Sequence, residues 1–328
     1  MKVTIGIPCL LPGGTEFQTL QLVRVLRAAG HEVSVCCYFE HDPAMVAAFE
    51  RVELLGLERS ISPVRLVGVL RRALAKSDVI HVQYMAPGFL AVLAAKLSGA
   101  RRVFATVHQP ATPYGRKARL LLRLAARMCD RFICVSEAVA KSWGVAAVVI
   151  HNAVDIARID AIAPEQVAAI GAVARLRHEK GIDVLLDAMP GERLLIVGDG
   201  PDRAVLEKRG GANVVWAGQQ PWERAMALMK GMEIVVAPSR FEGFGLTAAE
   251  AMAAGKAVVA SDVDGLREVV GDAGVLVPAG DAAALAAAVK RLLANPAERN
   301  AFGGKARERA ERLFAPELFR RKILELYR

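Results

Sequence analysis

Short apolar runs that alternate with helix-forming segments restrict the fold of this 328-residue sequence more than any other feature. In the first half a strand is predicted at Lys2 to Pro8, then a Gly-containing loop, a helix from Thr15 to Ala29, and a strand at His31 to Cys37. The second half opens in the same way, with an apolar strand at Ala168 to Ala174, a charged loop and a helix that ends at Ala188. This order is typical of Rossmann-like parallel sheets, and the chain is long enough for two such domains. We therefore predict an α/β protein.

Charge is distributed unevenly along the chain. The net charge of +9 lies entirely in residues 1–153, and the remaining residues carry equal numbers of basic and acidic side chains. A basic half favours an anionic partner, which could be nucleic acid, an acidic lipid surface or a phosphate-bearing substrate. Aromatic residues make up only 5% of the chain and no nucleic-acid recognition motif is present, so we expect no nucleic-acid partner.

The sequence has no feature of a membrane-spanning or exported chain. It contains no run of eighteen strongly apolar residues, and its N-terminus is predicted to be a strand and not a signal peptide. We therefore expect a cytoplasmic protein.

One stretch, Ser239 to Glu250, combines the parts of an anion-binding site. It follows a predicted buried strand at Glu233 to Pro238 and leads into an Ala-rich helix from Leu246 to Ala254. Glycines in the turn between them let backbone N–H groups approach a ligand. The first helical turn also leaves donors unpaired at the positive end of the helix dipole.

Two carboxylates, Glu242 and Glu250, bracket this turn. Acids beside a phosphate site suit the hydroxyl groups of a ribose or a sugar. Their spacing alone is equally consistent with two solvent-exposed residues, because two glutamates eight positions apart are common.

The whole segment from Ala237 to Ser261 resembles the donor-binding segment of retaining GT-B glycosyltransferases of family 4. Two glutamates separated by seven residues hold the sugar nucleotide in that family, and they match Glu242 and Glu250. The resemblance covers nearly the full chain. It implies a GT-B fold, in which two Rossmann-like domains face each other across a cleft. The acceptor-side domain would be residues 1–153, completed by a C-terminal helix over 315–328, and the nucleotide-sugar domain would be residues 154–314.

The resemblance also implies the site residues and their roles. The catalytic set is Glu242, Arg175, Lys180 and His108. The donor-binding set is Glu250, Gly243, Phe244, Gly245, Leu246, Gly13, Gly14 and Gln219. Arg175, Lys180 and the helix start would stabilise the leaving diphosphate, Glu242 would hold the donor sugar and Glu250 the ribose. By themselves, Gly13 and Gly14 would usually only make a turn, and His81 at the end of another strand favours a structural role.

The activity implied is transfer of a hexosyl unit, with retained configuration, from a UDP-, GDP- or ADP-sugar. The acceptor hydroxyl would belong to a lipid-linked, polysaccharide or other glycan precursor. Three alternatives remain open at this stage: a nucleotide-sugar epimerase of the same fold, a binding relative without catalysis, and a basic nucleic-acid-binding protein.

Asp262 and Asp264 form a D-x-D pair, which in other transferases can hold a divalent metal under a diphosphate. Relatives of the resembling family use basic residues and a helix dipole there, so the resemblance implies a metal-independent enzyme without a metal site.

A basic row is predicted on a helix from Tyr114 to Asp130. Arg119, Arg123 and Arg127 repeat every four positions and therefore share one side of the helix. Such a row is usually a solvated surface. The alternative is that this basic surface makes peripheral contact with the inner face of an acidic membrane.

Overall fold

The computed structural model describes residues 1–85 and 88–328. The chain divides into two compact units, Met1–Ala153 together with Glu317–Arg328, and Val154–Pro316.

The first unit is built on a parallel sheet covered by helices. Its strands are β1 (Lys2–Ile7), β2 (Glu32–Cys37), β3 (Val52–Leu54), β4 (Val79–Tyr84), β5 (Arg102–Val107), β6 (Arg131–Cys134) and β7 (Val148–Val149). Its helices up to residue 153 are α1 (Gly14–Ala28), α2 (Pro43–Ala47), α3 (Pro63–Ala73), α4 (Gly88–Leu97), α5 (Arg116–Met128) and α6 (Glu137–Trp143). The pattern around α4 predicts a helix from Pro87 to Leu97, and the predicted first residue lies outside the described residues.

The second unit repeats this plan. Its strands are β8 (Ile170–Val173), β9 (Leu194–Val197), β10 (Val214–Gly218), β11 (Ile234–Ala237), β12 (Ala257–Ser261) and β13 (Val275–Val277). Its helices are α7 (Ile156–Asp160), α8 (Ile182–Ala188), α9 (Arg203–Arg209), α10 (Trp222–Gly231), α11 (Leu246–Ala253), α12 (Asp264–Val270), α13 (Ala282–Ala294) and α14 (Pro296–Phe314). The last helix, α15 (Pro316–Tyr327), belongs to the first unit from Glu317 onward.

Both sheets are parallel and doubly wound. In the described residues the strand order is β3-β2-β1-β4-β5-β6-β7 in the first sheet and β10-β9-β8-β11-β12-β13 in the second. The order reverses between β1 and β4 in one sheet and between β8 and β11 in the other. Ligands of such sheets bind outside the carboxyl ends of the strands at this switch point. The fold therefore indicates one candidate edge in each unit.

The central strands are apolar along their whole length because helices cover both faces of each sheet. Strand β9, Leu194–Val197, is buried at every position, as is β12, Ala257–Ser261. In the first unit α15 completes the core, where Ile323 and Tyr327 pack with strand residues such as Ile5 and Phe104. This burial explains why strands in both halves could be located from short apolar runs alone.

A buried tyrosine hydroxyl gives a stability prediction for the first unit. Tyr38 is fully buried, and its hydroxyl is the only enclosed side-chain polar atom without a hydrogen-bond partner in the described part of the chain. A desolvated, unpaired hydroxyl is unfavourable, so we expect Tyr38→Phe to raise the free energy of unfolding by about 1 kcal/mol. Urea unfolding followed by circular dichroism measures this change.

Tyr327→Phe is the matched control. The Tyr327 hydroxyl is also buried, but it lies 2.7 Å from Nδ1 of His81. Its removal leaves that nitrogen unpaired in the core and should lower the free energy of unfolding by about 2 kcal/mol. Equal losses in the two variants would contradict an unpaired hydroxyl at Tyr38.

Candidate functional site

Two loops meet at the switch point of the second sheet. One follows β8 and carries Arg175 and Lys180, and the other follows β11 and leads into α11. The backbone N–H of Arg240 in the second loop donates to the carbonyl oxygen of Glu179 in the first, at 2.8 Å. Gly181 has φ +63°, and a Cβ atom there would lie 2.0 Å from the carbonyl oxygen of Pro238. Glycine at this position therefore allows the two loops to touch.

The side chain of Arg240 links the two loops through hydrogen bonds. Its guanidinium donates to both carboxylate oxygens of Asp183 on α8, at 2.8 and 2.7 Å, and to the carbonyl oxygen of His178 at 2.8 Å. These hydrogen bonds hold the pKa of Asp183 below its usual value. The sequence analysis missed this residue, and its position next to Ser239 gives no sign of a partner 57 residues away.

Lys180 and Glu242 are brought together by this arrangement. The Lys180 ammonium donates to Oε2 of Glu242 at 2.5 Å, and Oγ of Ser239 lies 3.4 Å from the same oxygen. The pair is partly buried, with 27% and 18% of the two side chains exposed. The predicted diphosphate cation and the predicted sugar-binding carboxylate are therefore neighbours that neutralise each other.

Arg175 is one of two exposed arginines of the first loop, together with Arg177. One residue, Ala174, separates Arg175 from the end of β8. Within the described residues the Arg175 side chain has no ion pair or hydrogen bond. A guanidinium offers planar paired donors that match phosphate oxygens. Arg175 is thus available to an anion, whereas Lys180 would have to exchange partners.

The start of α11 is open toward the same region. Its N-cap is Gly245 with φ +90°, and no side chain of the described residues caps it. The unpaired donors of the first turn and the helix dipole favour an anion at Leu246. The ring of Phe244 is buried against Phe314, with ring centroids 5.2 Å apart, so this residue and Gly243 can offer only backbone groups.

Glu250 lies about one turn further along α11 and is held by a residue that the sequence analysis missed. Nε1 of Trp222 donates to Oε1 of Glu250 at 2.8 Å. Burial raises the pKa of Glu250 to about 7, and the hydrogen bond from Trp222 opposes that rise. Gln219, the predicted nucleobase contact, is exposed directly after Gly218, the last residue of β10.

Two further glycines of this unit, Gly198 and Gly200, are required by close packing. A Cβ atom on Gly198 would lie 2.0 Å from the carbonyl oxygen of Ala174, and one on Gly200 would lie 2.3 Å from that of Leu176. The Gly198-Asp-Gly200 sequence therefore serves close packing of the loop after β9 on the loop after β8. It is not a dinucleotide fingerprint, since Arg203 stands at the place of its third glycine.

In the first unit, Gly13 and Gly14 form the start of α1 beyond the carboxyl end of β1. Gly13 is the N-cap, in extended conformation, and no side chain of the described residues caps this helix. A Cβ atom on Gly13 would lie 2.7 Å from Oε2 of Glu16, so the small residue keeps space beside that carboxylate.

His108 follows β5 on the neighbouring part of the same edge. Its Nε2 lies 2.7 Å from Oε1 of Gln83, which can only accept, so Nε2 carries the proton and Nδ1 is an acceptor. Burial lowers the pKa of His108 to about 4, so the imidazole is neutral at physiological pH. His81 differs: it is fully buried with both ring nitrogens bonded, to Tyr327 and Thr106 at 2.7 Å, as a structural histidine would be.

Both carboxylates of the D-x-D pair, Asp262 and Asp264, form ion pairs with Arg267 on α12. Arg267 donates to Oδ1 of Asp262 at 2.6 Å and to Oδ1 of Asp264 at 3.0 Å. Over residues 1–85 and 88–328 no group of three His, Cys, Asp or Glu side chains could hold a metal ion. In the same ranges no helix combines the length and the apolar character needed to cross a bilayer.

Two doubly wound units are present, and the switch point of the second carries exposed and paired cations, a carboxylate and an open helix start. These are features expected of a glycosyltransferase that uses a nucleotide sugar. The comparisons give the family. Residues 12–158 match the family described as Glycosyltransferase Family 4, and residues 156–309 match Glycosyl transferases group 1. The chain is 32% identical to phosphatidyl-myo-inositol mannosyltransferase of Mycolicibacterium smegmatis, over 94% of this chain and 89% of that protein. The chain belongs to glycosyltransferase family 4.

Solved structures agree on the fold. Anabaena HepE in complex with UDP and glucose aligns with a TM-score of 0.86 at 20% identity, covering 100% of this chain and 99% of that one. Sucrose-phosphate synthase from Thermosynechococcus elongatus aligns with a TM-score of 0.81 at 23% identity, covering 100% and 98%. The predictions of a GT-B fold and of a hexosyltransferase that uses a nucleotide sugar are confirmed, and the epimerase alternative is not favoured.

Proposed function

We propose that this enzyme transfers a hexosyl unit from a nucleoside diphosphate sugar to a hydroxyl group of a lipid-linked acceptor, with retained configuration and without a metal ion. The observation that carries the donor part is the junction of the two loops of the second unit. There Arg175, the Lys180–Glu242 pair and the open start of α11 supply donors and positive potential for a diphosphate.

The charge developing on the leaving diphosphate is the main target of the site. Arg175, Lys180 and the N–H groups at the start of α11 would stabilise it, and such preorganised donors are usually the largest contribution to catalysis. Once Lys180 turns to the phosphates, Glu242 is released to accept hydrogen bonds from the donor sugar. Because no carboxylate is assigned as a nucleophile, a donor phosphate oxygen would take the acceptor proton on the same face of the sugar.

The remaining residues are assigned to the two ends of the donor. Glu250 would bind the ribose and Gln219 the nucleobase. His108, neutral and with Nδ1 as an acceptor, would bind a hydroxyl of the transferred sugar. Gly13 and Gly14 would allow close approach of the first unit's backbone to the ligand.

The lipid-linked acceptor is supported by a relative and by a surface. The relative from M. smegmatis is named for transfer to phosphatidyl-myo-inositol, and it aligns with nearly the whole chain. The surface is the solvent-exposed side of α5, which carries the basic row.

Two experiments test the proposal. A thermal-shift screen with UDP-, GDP- and ADP-sugars identifies the donor, because a ligand that binds only the native state raises the melting temperature. Transfer is then assayed with phosphatidylinositol vesicles and with soluble oligosaccharides, and the anomeric configuration of the product is read by NMR. An inverted product, or donor epimerisation without transfer, contradicts the proposal.

Donor binding should depend on pH through Glu250. The diol of a ribose donates hydrogen bonds, so it favours the ionised form of the Glu250 carboxylate. Before the donor binds, the pKa of Glu250 is about 7. Charged groups on the neighbouring helices are already paired, Arg158 with Glu223 and Arg307 with Asp160. We therefore expect the donor dissociation constant to rise about tenfold between pH 8 and pH 6, as the ionised fraction falls.

Isothermal titration at several pH values measures this dependence. The matched control is Glu250→Gln, which should bind the donor weakly at every pH and show a flat profile. A profile of the same steepness in the glutamine variant would assign the titration to another group.

We further propose that α5 rests on an acidic membrane surface. Five cations lie on its exposed positions: Arg116, Lys117, Arg119, Arg123 and Arg127. The leucines of this helix divide into two groups. Leu122 is buried and Leu121 is half-buried, whereas Leu120 and Leu124 are 57% and 40% exposed, one turn apart on the basic side. Apolar side chains among cations are typical of helices that lie in the interface of an anionic bilayer.

The double variant Leu120→Ser with Leu124→Ser should lower binding to phosphatidylserine-containing vesicles about tenfold, because two apolar side chains no longer enter the bilayer. Vesicle co-sedimentation measures the loss. Val205→Ser is the control, since Val205 is a 70% exposed apolar residue on α9 in the other unit. Equal losses in control and double variant, or equal binding to phosphatidylcholine vesicles, would contradict a role for α5.

A further inference from the structure

Trp222 joins the start of α10 to the carboxylate on α11. Its indole Nε1 donates to Oε1 of Glu250 at 2.8 Å, and both residues are half-buried. The two residues are 28 positions apart, so the hydrogen bond forms only because the fold brings the first residue of α10 against the side chain of Glu250 on α11.

The face of the indole is held by a second residue. The Arg158 guanidinium on α7 lies 4.4 Å from the centroid of the Trp222 ring, within the range of a cation–π contact. Arg158 is itself ion-paired with Glu223, the residue next to Trp222, and its backbone N–H is bonded to Asp155 at 3.2 Å. The indole is therefore restrained both along its N–H and across its face.

This arrangement leaves half of the Glu250 carboxylate available. Oε1 is occupied by the indole, whereas Oε2 has no hydrogen-bond partner within residues 1–85 and 88–328. A carboxylate without a fixed donor can rotate about its last bond. One that is anchored at a single oxygen presents the other in a defined direction, and such preorganisation lowers the cost of binding a ligand.

We propose that Trp222 is a positioning residue for the donor: its indole N–H orients Glu250 so that Oε2 accepts from the donor hydroxyls, and Arg158 keeps the indole in place. The inference rests on the proposed function, in which Glu250 binds the ribose. Trp222 itself need not touch the ligand, so its effect is expected on donor affinity and not on the chemical step.

Trp222→Phe tests this directly, because it keeps an aromatic ring for Arg158 and removes the N–H donor, although the ring becomes smaller. We expect the donor KM and the nucleotide Kd to rise about fivefold, with kcat within a factor of two of the parent enzyme. Arg158→Gln leaves both hydrogen-bonding partners in place and should raise the donor KM about twofold. Melting temperatures of both variants report whether the fold is intact.

A double-mutant cycle separates orientation of Glu250 from a purely structural role. In the Glu250→Ala background, Trp222→Phe should change the donor KM by less than twofold, because there is no carboxylate left to orient. A fivefold effect that persists in that background, or a parent-like KM in Trp222→Phe and Arg158→Gln, overturns this inference alone. If the parent enzyme neither binds a nucleotide sugar nor transfers one, the proposed function fails and this inference fails with it.

Discussion

Replacing Arg175 by alanine is expected to lower kcat/KM for the nucleotide sugar by about a hundredfold, most of it in kcat. Arg175 has no partner in the described residues, so its guanidinium can meet the donor diphosphate without breaking an ion pair. The diphosphate gains negative charge as the glycosidic bond breaks, and the contact is therefore stronger in the transition state than in the ground state. Steady-state kinetics at saturating acceptor measure the change.

Two variants control for charge and for the loop. Arg177→Ala removes the same charge two residues away on the same exposed loop and should keep kcat/KM within about threefold, because Arg177 is assigned no ligand contact. Arg175→Lys keeps the charge but loses the planar pair of donors, and we expect an intermediate loss of about tenfold. Similar losses for Arg175→Ala and Arg177→Ala would show that only general electrostatic attraction is at work.

Gly265→Ala is expected to lower activity by about a hundredfold through the backbone alone. Gly265 lies in the first turn of α12, where a Cβ atom would be 2.3 Å from the carbonyl oxygen of Glu242 and 2.9 Å from the carbonyl carbon of Gly243. Backbone atoms cannot rotate away, so the added methyl group must displace the turn that carries Glu242. A displacement of about 1 Å in a positioned group can cost a hundredfold in rate.

The same variant should also lose about 2 kcal/mol of stability from overpacking. Gly304→Ala is the matched control in the same unit. Gly304 lies within α14, where a Cβ atom meets nothing within 4 Å, so alanine there should stabilise the helix by about 1 kcal/mol and leave the kinetics unchanged. Thermal unfolding and kinetics of both variants give the comparison, and parent-like activity in Gly265→Ala would show that the Glu242 turn tolerates movement.

Much of the second unit follows from local pattern. The sequence predicts helices at Ala282 to Ala294 and from Pro296 to Leu313, and the structure has them at Ala282–Ala294 and Pro296–Phe314. Proline at the first helical position marks the start of α14, and apolar residues with helical period indicate both helices. The strands could be predicted equally well from the sequence, because strands that are buried on both faces are continuous apolar runs.

Only part of the candidate site could be predicted from the sequence. Glu242 and Glu250 are recognisable from a motif whose spacing lies within one turn and one helix. Arg240, Trp222 and Gln83 were missed because their partners are 57, 28 and 25 positions away, and no local pattern encodes such contacts. A tryptophan at a helix start has no characteristic signature until a carboxylate from another helix is placed against its N–H.

The sequence by itself determined the alternation of strands and helices, because periodicity and turn chemistry act over a few residues. Its resemblance to family 4 indicated the class of enzyme and the loop that carries Arg175 and Lys180. Only the tertiary structure decided the electrostatic state of those groups. It pairs Lys180 with Glu242 and leaves Arg175 exposed, and burial raises the pKa of Glu250 to about 7 although Trp222 donates a hydrogen bond to this carboxyl group. Burial and pairing depend on which elements the sheet order brings together, and that order is a property of the whole folded unit.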